Sequence, residues 1–587
     1  MKKNYHFVKW VFLLFAGISM GSCVDSDYDL GKDMDMTMGF GTEGLALKLG
    51  HTERIFLRDV LKLEDSEMLD TLSTSMYYLV KDGNANVKVH VDPIDDINLN
   101  DVNLFTSPVV EATDTDIPVD EGREYSNEVE GFSNLEISIN NIPTEVKSIR
   151  RVTISGGNAK MNLSLKQPVG SDFRFRALNN VRINFPDYIY SSQFKPGTHT
   201  FVINRANINS SVVSNIVLPI DSIVLTGEDM FGIRVQNGMI DLTEKIDLVG
   251  DVTIVAARNF TLPQNSSVTV ELNATLNHMV ATSMSGLVDP EIDPTVDPIE
   301  ISNDLPDFLK DDSVKLEMVN PTIRFHMLGT ELPVPLFFSA QAASVKNNIT
   351  KAVVNLPQGG NANIPAKTDY KFYFYQTGKP FTPEAENITS SQQYQVSNLS
   401  SLVHSLPDVI NVDLSNRRVH TNQTQLHMID LGKDYNVNMN YNVYVPFQFR
   451  ANTCIVYNDS VDDMNSDLKD YQAEGLKVTA TAFNTIPLDL DVTLIPYDVN
   501  GRDMSDELVV DHAIAKAGIV ENNGEPTQTP MIIELTPKTP AVISRLDKLM
   551  FRVNAKSVES NEMRSNQYLE LKDIRLKLKG QIIGNFN

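Results

Sequence analysis

The sequence predicts an all-β protein of tandem antiparallel β-sandwich domains of the immunoglobulin-like kind. Alternation of apolar and polar residues dominates the chain and is clearest from Tyr435 to Phe449. Because successive side chains of a strand point to opposite faces, such a stretch has one apolar face and one wet face. One-sided burial of this kind is typical of antiparallel sheets that pack face to face.

The same alternation recurs elsewhere, whereas helical patterns are few. Further half-buried strands are predicted at residues 87–91, 135–139, 268–272 and 574–578. Two short helices are predicted at 54–63 and 508–517, where apolar residues recur with a helical period. Neither helix is long enough to change the fold class.

Proline and acidic residues indicate where domains end. Asp289-Pro290, Asp293-Pro294 and Asp297-Pro298 recur every four residues and predict a stiff, extended Asp-Pro linker at 288–300. A second acidic stretch begins at Asp459 and has little apolar content. At about a hundred residues or more per domain, we predict a tether with a short helix followed by four β domains. The predicted ranges are 23–70 for the tether and 71–170, 171–287, 301–455 and 456–587 for the domains.

The first residues have the three-part organisation of an export signal. Three lysines (Lys2, Lys3 and Lys9) precede or flank an apolar core at 11–18, and small residues then lead to Cys23. This core is shorter than the run of about 20 apolar residues that a membrane-spanning helix needs. Residues 1–22 are therefore predicted to be a signal peptide. An ordinary signal peptide that contains a cysteine by chance is the alternative.

The sequence Met-Gly-Ser-Cys at 20–23 resembles the lipobox of bacterial lipoproteins, with Met20 where leucine is commoner. The acidic run at 24–29 is similar to the surface-export signal of Bacteroidetes lipoproteins, although a solvated tether has the same composition. The resemblance implies that Cys23 carries acyl chains that anchor the protein in the outer membrane. It further implies that the chain faces the cell exterior, with the periplasmic face as the alternative.

Composition excludes several partners. Removing residues 1–22 removes three lysines and no acid, which changes the formal net charge from −26 to −29. Such a chain repels phosphate groups, so no nucleic-acid partner is expected and membrane attachment must come from the lipid. With Cys23 lipidated, Cys454 is left alone and no intramolecular disulfide is expected. Trp10, the single tryptophan, lies in the signal, so the mature chain has none to stack on a sugar.

No catalytic motif stands out. The mature chain has no Gly-x-Ser-x-Gly elbow, no His-Glu-x-x-His pair and no phosphate-binding glycine loop. The histidines are scattered, and acids are too numerous for any sequence pair to indicate a catalytic carboxylate dyad. We therefore expect no catalytic residues and no enzymatic activity.

The most specific motif is a candidate calcium loop. Counting Asp463 as position 1, Asn465 and Asp467 occupy positions 3 and 5, and Glu474 occupies position 12. Oxygen ligands at these positions suit a hard cation. Leu468 stands where the sharp turn of such a loop favours glycine, and an acidic solvated linker is the alternative interpretation. Calcium is the only cofactor that the sequence offers.

Four Asp-Ser/Thr-aliphatic triplets are similar to the O-glycosylation sequon of Bacteroides exported proteins. The resemblance marks Thr71, Ser222, Ser313 and Ser460 for modification. So short a pattern also arises by chance.

Two functional hypotheses from different classes follow. The first is a lipid-anchored, non-catalytic binding or structural protein of the cell surface, an elongated array of β domains with an unknown protein or glycan ligand. The alternative is a glycan-capture accessory lipoprotein of a polysaccharide-uptake system. The alternative needs exposed tyrosine or phenylalanine platforms, and Tyr370–Tyr375 is the one dense aromatic stretch.

Lipidation gives the first testable prediction. Replacing the acyl-bearing thiol in Cys23→Ser should abolish palmitate labelling and release the protein from membranes, because only the acyl chains attach it. Labelling with radioactive palmitate followed by membrane fractionation measures both effects, with Cys454→Ser as the control. Labelling that survives Cys23→Ser would contradict the prediction.

Overall fold

The computed structural model confirms the all-β prediction. It describes residues 46–58, 68–167, 172–207, 210–227, 229–276, 279–301, 309, 311–328, 332, 334–366, 369–414, 419–469, 471–519, 525–558, 561–579 and 583–584. Strand accounts for 62% of the structure and helix for 4%. Among the strand pairs of these residues, only one runs parallel. No helix in the described ranges is long and apolar enough to cross a membrane.

The chain passes through three structural units in nested order rather than one after another. We call them the outer unit (residues 46–56 and 454–584), the middle unit (68–90 and 291–449) and the inner unit (91–288). Pairing of strands that are distant in sequence defines these units.

The strands are numbered in chain order. The first outer segment contains β1 (Ala46–Gly50) and β2 (Ile55–Phe56), and the first middle segment contains β3 (Leu69–Thr71) and β4 (Tyr77–His90). The inner unit contains β5 (Asp96–Leu99), β6 (Val102–Ala112), β7 (Ile117–Val119), β8 (Glu124–Asn140), β9 (Val146–Lys166), β10 (Phe173–Asn184), β11 (Ile189–Tyr190), β12 (Thr200–Asn207), β13 (Val212–Val224), β14 (Ile233–Arg234), β15 (Ile240–Ala256), β16 (Phe260–Leu262), β17 (Ser266–Leu276) and β18 (Val280–Val288).

The second middle segment contains β19 (Glu291–Val296), β20 (Ile299–Glu300), β21 (Thr322–Leu328), β22 (Leu336–Phe338), β23 (Ala340–Lys346), β24 (Ile349–Leu356), β25 (Ala362–Ile364), β26 (Tyr370–Tyr375), β27 (Gln393–Gln395), β28 (Val409–Asp413), β29 (Val419–Thr421), β30 (His427–Asp430), β31 (Tyr435–Pro446) and β32 (Gln448–Phe449). It also has short 3₁₀-helices at Ser390–Gln392 and Leu399–Leu402.

The second outer segment contains β33 (Cys454–Val461), β34 (Tyr471–Gln472), β35 (Gly475–Asn484), β36 (Asp489–Asp498), β37 (Leu508–Val510), β38 (Ala513–Ala515), β39 (Thr527–Pro537), β40 (Leu546–Lys556), β41 (Asn561–Glu562), β42 (Tyr568–Lys579) and β43 (Ile583–Gly584). A one-turn α-helix, Asn465–Leu468, and a 3₁₀-helix, Pro540–Arg545, complete it.

The inner unit is a sandwich of two sheets. One sheet has the order β12-β10-β15-β8-β5, and the other has β11-β13-β9-β17-β6 with β14 and β18 also on β9. Their inward residues share one core, to which Ile137 and Ile254 come from the first sheet and Val152 and Val270 from the second, all four 0% exposed. The alternation that the sequence shows at 135–139 and 268–272 therefore produces this core.

The middle unit is built around β4. Its main sheet has the order β19-β4-β31-β21-β26-β27, with β3 also on β4. Smaller sheets, β20-β28-β23-β24 and β25-β22-β29, lie in the same unit, and Phe325 of the main sheet packs 6.2 Å from Phe338 of β22. Phe325 also stacks on Phe372 of β26 at 5.1 Å. Every second residue of β31 from Val437 to Val443 is buried, as the alternation predicts.

The outer unit joins the two ends of the described chain. β1 and β2 pair with β42, in the sheet β1-β42-β35-β39-β37, and a second sheet has the order β33-β40-β36-β38. Leu535 of the first sheet and Leu494 and Leu549 of the second share one core. A larger core contains buried residues of both the middle and the outer unit, among them Phe449 and Ile455.

The chain crosses between the middle and inner units at a joint centred on His90. The His90 imidazole contacts the carboxylates of Asp92, at 3.0 Å, and Asp434, at 2.6 Å, and Lys88 contacts Asp434 at 3.3 Å. Burial opposes protonation of His90, but the hydrogen bonds to Asp92 and Asp434 outweigh it and raise its pKa. β30, which precedes Asp434 in the chain, pairs with β18 of the inner unit rather than with a strand of the middle unit.

The Asp-Pro segment at 288–300 forms strands, which corrects the prediction of a linker. β19 pairs with β4 from Glu291↔His90 to Val296↔Ala85, and β20 pairs with β28. Pro294 has no backbone N–H to donate, and β19 tolerates it because it lies at the edge of its sheet. The prediction of extended backbone is correct for β19, but this backbone pairs with another strand of the middle unit instead of holding two domains apart.

The predicted domain ranges also differ from the observed units. Residues 46–56, expected in the tether, belong to the outer unit, and the boundary at 455/456 falls inside β33. The ranges 71–170 and 171–287 both contribute strands to the one inner sandwich, which has a single core. Sequence-local cues cannot reveal pairing between segments hundreds of residues apart, which is the reason for the difference.

Neither predicted short helix is observed over its range. At 508–517 the chain forms β37 and β38, which pair with β39 and β36. At 54–63 the chain begins with the strand β2, residues 57–58 are helical, and the remainder lies outside the described residues. Tertiary pairing decides such short apolar segments, because helical and extended periods are hard to tell apart over ten residues.

Nested connectivity predicts which fragments fold alone. Residues 91–288 carry both inner sheets and their core, so this fragment should unfold cooperatively in urea and give dispersed amide NMR signals. Residues 301–455 lack β4, which lies between β19 and β31, and should remain unfolded. The fragment 68–449 restores β4 and serves as the control. Cooperative unfolding of 301–455 alone would contradict the nested organisation.

Candidate functional site

A polar surface lies on the main sheet of the middle unit, and we call it the asparagine face. It consists of the outward residues of β4 from Asp82 to Lys88 and of β31 from Asn436 to Asn442, which alternate with buried or half-buried ones. Cross-strand register places Asn440 opposite Asn84 and Asn438 opposite Asn86. Asparagine is depleted in strands, so four of them at alternate positions of β31 are not explained by strand propensity.

A cavity of about 290 Å³ opens on this face. Its lining residues come from three adjacent strands and are almost all polar: Asp82, Gly83, Asn84, Arg324, His326, Asn440, Tyr441 and Asn442. The residues of β21 extend the face, because Arg324 lies opposite Asn442 and His326 lies opposite Asn440.

Arg324 is held rigidly at one side of the cavity. Its Nε donates to Asn442 Oδ1 at 2.9 Å, and its Nη1 donates to Glu386 Oε1 at 2.6 Å. The Asn442 amide in turn donates to the carboxylate of Asp82. Arg324 also lies 5.6 Å from the centre of the Tyr444 ring. The guanidinium is thus neutralised and oriented by groups of the protein itself.

Glu386 is the second fixed charge, on the loop between β26 and β27. It accepts hydrogen bonds from Lys371 Nζ, at 2.9 Å, and from the Tyr373 hydroxyl. Burial opposes its ionisation, but the bonds from Tyr373 and Lys371 and the charge of Arg324 outweigh burial, so the pKa of Glu386 is lowered. Burial and the bond to Glu386 raise the pKa of Tyr373. The network therefore contains an ionised carboxylate and a neutral phenol at neutral pH.

Two further contacts shape the cavity wall. His326 Nε2 lies 2.5 Å from Asp369 Oδ1, and this hydrogen bond lowers the pKa of the Asp369 carboxyl. The Tyr441 ring covers Gly83, where a Cβ atom would lie 2.1 Å from Tyr441 Cζ, so only glycine fits there. The Tyr441 hydroxyl donates to the carbonyl of Asp297 at 3.2 Å, and burial raises its pKa to about 12.

Asn84 and Asn440 differ from the other polar residues of the cavity. Both side chains are exposed, and neither makes a side-chain hydrogen bond to any other described residue. Each amide offers two N–H donors and a carbonyl acceptor. The cavity thus combines a rigid, internally satisfied side with two amides whose hydrogen bonds are available to a ligand. This arrangement can bind a polar molecule through several hydrogen bonds at once.

The structure describes the side chains of three of the four predicted calcium ligands. The Asn465 side-chain amide donates to the Ser544 carbonyl at 2.7 Å, and Asp463 and Glu474 are exposed. The side chain of Asp467 lies outside the described part of the structure. Within the described residues, no group of three or more His, Cys, Asp or Glu side chains could hold a metal ion. Calcium binding at this loop stays a prediction of the sequence.

The four candidate glycosylation sites differ in exposure. Ser222 is 7% exposed within β13, so its hydroxyl is closed to a modifying enzyme in the folded chain. Thr71 and Ser460 are half-buried on β3 and β33. The Ser313 hydroxyl donates to Asp311 and accepts from Arg552 Nη2 at 2.9 Å. The predicted lipidation site, Cys23, lies outside the described residues.

The aromatic stretch Tyr370–Tyr375 does not form a sugar platform. Phe372 and Phe374 are 1% and 0% exposed, and Tyr373 points its hydroxyl at Glu386. Sequence reasoning misses Arg324 and Glu386, which are brought together only by the fold. The alternating asparagines of β31 are the available signal, but in the sequence they indicate only the wet face of a strand.

Comparisons with known proteins leave this site unassigned. No protein-family model and no curated protein matches the chain. Among solved structures, a protein of Parabacteroides distasonis described as secreted is 12% identical with a TM-score of 0.34, over 50% of this chain and 83% of that chain. Chains from the triple jelly-roll turret assembly of an archaeal virus and from Sulfolobus turreted icosahedral virus are 8% and 7% identical, each with a TM-score of 0.10 over 83% of this chain and 91% of that chain. Likenesses at these TM-scores carry no argument about fold or function.

The Glu386 network predicts a pH-dependent contribution to stability. Glu386→Gln should lower the free energy of unfolding at pH 7 by about 1–3 kcal/mol, because it removes the charge that three donors share. The lowered pKa means that this contribution is complete above the ordinary value of 4.5 and is lost as pH falls through the folded-state value. Urea unfolding of both proteins from pH 7 to pH 3 measures the difference.

The control for this experiment is Glu384→Gln, because Glu384 is an exposed acid on the same loop. It should leave the free energy of unfolding within about 0.5 kcal/mol of the unmodified protein, as is usual for surface positions. An effect of Glu386→Gln that grows as pH falls would contradict the assignment.

Proposed function

We propose that this chain is a lipid-anchored, non-catalytic protein of the outer cell surface that binds its ligand through the asparagine face. The observation that carries the proposal is the polar cavity, where the exposed side-chain amides of Asn84 and Asn440 bond to no other described residue and lie beside a rigid wall. Exposed amides that strand propensity disfavours, placed around a concave site, are what hydrogen-bonded recognition requires.

The non-catalytic part of the proposal rests on how the charged groups of the cavity are used. Arg324 is occupied by Glu386 and Asn442, and His326 by Asp369. These groups orient one another, and no serine, threonine or cysteine is among the residues that line this cavity. The absence of any nucleophile–base motif from the sequence supports the same proposal.

The cell-surface part of the proposal rests on the resemblance of residues 20–29 to an exported lipoprotein. If Cys23 carries the lipid, the tether enters the fold at β1, so the outer unit is the first unit after the anchor. The chain then reaches the inner unit only through the middle unit, which carries the asparagine face. A formal net charge of −29 without residues 1–22 keeps such a protein soluble beside the membrane.

Glycan capture is the second candidate function, and the lining of the cavity favours it over a protein-binding role. Protein interfaces concentrate their binding energy in buried aromatic and apolar anchors. The cavity lining is instead amide, carboxylate, guanidinium and imidazole, with Tyr441 only 2% exposed. Such groups match hydroxyl-rich ligands.

Surface exposure and lack of turnover test the proposal. Antibodies should label intact cells, and added protease should remove the epitope, because the anchored chain faces outwards. The purified mature chain should hydrolyse no member of a panel of glycans, peptides and esters. A periplasmic protein of the same cells, which must stay protected, is the control. A protected epitope would move the protein to the periplasmic face, and hydrolysis that a single carboxylate substitution abolishes would overturn the non-catalytic proposal.

A further inference from the structure

The cavity presents its polar groups as two parallel rows across three strands. One row runs Asp82, Asn442, Arg324, and the next runs Asn84, Asn440, with His326 at its end. Neighbouring strands lie about 4.8 Å apart, and rows two residues apart along a strand are separated by about 6.5–7 Å. A ligand in the cavity therefore meets a small grid of hydrogen-bonding groups rather than a single anchor.

The two rows differ in rigidity. In the first row hydrogen bonds join each side chain to the next, from Asp82 through Asn442 to Arg324. In the second row, Asn84 and Asn440 have no side-chain partner among the described residues. An amide both donates and accepts, as a hydroxyl group does, so a pair of facing amides is complementary to adjacent hydroxyls.

The charge balance of the cavity disfavours anions. Glu386 pairs with both Arg324 and Lys371, and Asp369 pairs with His326, so these two carboxylates face the two cations together with the imidazole of His326. The carboxylate of Asp82 remains, and it accepts a hydrogen bond only from the neutral amide of Asn442 among the bonds that the structure describes. A sulfated or uronic-acid ligand would meet net negative charge, whereas hydroxyl groups can donate to Asp82.

We propose that this cavity is a binding subsite for a neutral saccharide, in which Asn84 and Asn440 bond the sugar hydroxyls and Asp82 accepts from a further hydroxyl. The inference deepens the proposed function and rests on it, since it names the ligand class of the same face. No exposed aromatic ring is among the residues that line the cavity, so binding relies on hydrogen bonds rather than stacking. Such a subsite binds single sugars weakly and gains strength from repeated units of a polysaccharide.

The chain contains a matched control for this site. Asn86 and Asn438 face each other on the same two strands and the same face, one row further along, and they do not line the cavity. The test compares the double variants Asn84→Ala/Asn440→Ala and Asn86→Ala/Asn438→Ala in the full mature chain. All four positions are exposed, so both variants should keep the thermal unfolding midpoint of the unmodified protein.

Affinity electrophoresis and calorimetry measure binding to three neutral polysaccharides, a mixed-linkage β-glucan, a galactomannan and an arabinan, and to two anionic ones, polygalacturonate and heparin. At least one neutral polymer should bind and the anionic ones should not. The Asn84→Ala/Asn440→Ala variant should bind about tenfold or more weakly, as expected for two lost hydrogen bonds, and the control variant within about twofold of the unmodified protein.

Three results would overturn the inference: no binding to any neutral polymer, preference for the anionic polymers, or equal losses in both variants. If no polymer binds but a surface protein is captured and the capture depends on the asparagine face, the inference fails while the proposed binding function stands. If labelling shows a protected epitope while the neutral polymer still binds through Asn84 and Asn440, the proposed location fails while the saccharide subsite stands.

Discussion

The pairing of β4 with β31 and β19 is the constraint on which the other parts of this structure depend. β4 precedes the inner unit in the chain, whereas both of its partners follow it, so the middle sheet closes only after the whole inner unit has been passed. The cost of closing a loop rises slowly with its length, and the folded inner unit returns the chain beside its start, at His90↔Glu291. The outer unit is closed in the same way, because β1 and β2 pair with β42, which follows both other units in the chain.

This arrangement also creates the candidate site. Asp82 and Asn84 come from β4, Asn440 and Asn442 from β31, and Arg324 from β21, so the cavity exists only when the three strands are in register. A slip of one residue would turn the apolar residues of β31 outwards and bury its asparagines. The buried alternate residues that stabilise the middle core therefore also determine where the cavity groups lie. One face of the sheet packs in the core, and the opposite face carries the candidate site.

Individual strands were predictable, but their partners were not. The alternation that begins at Tyr435 predicted both the buried and the wet face of β31 as far as Val443, because side-chain direction depends only on the local backbone. Beyond Val443 the strand is buried on both faces, which the alternation did not predict. The Asp-Pro repeats correctly indicated extended backbone around Pro294, yet nothing local distinguishes a linker from an edge strand. Likewise the sequence could not bring Glu386 to Arg324, since that contact depends on how the loop after β26 folds over the sheet.

The all-β class, the alternating faces, the acidic charge and the exported-lipoprotein resemblance at 20–29 were predictable from the order of amino acids, because each follows from composition or from neighbouring residues. The fold alone revealed the nesting of the three units, the burial of Phe372 and Phe374 in the core, and the cavity between Asn84, Asn440 and Arg324. Hydrogen bonds across a sheet join backbones without regard to side-chain identity, so pairing partners are selected by the packing of the whole core rather than by local sequence.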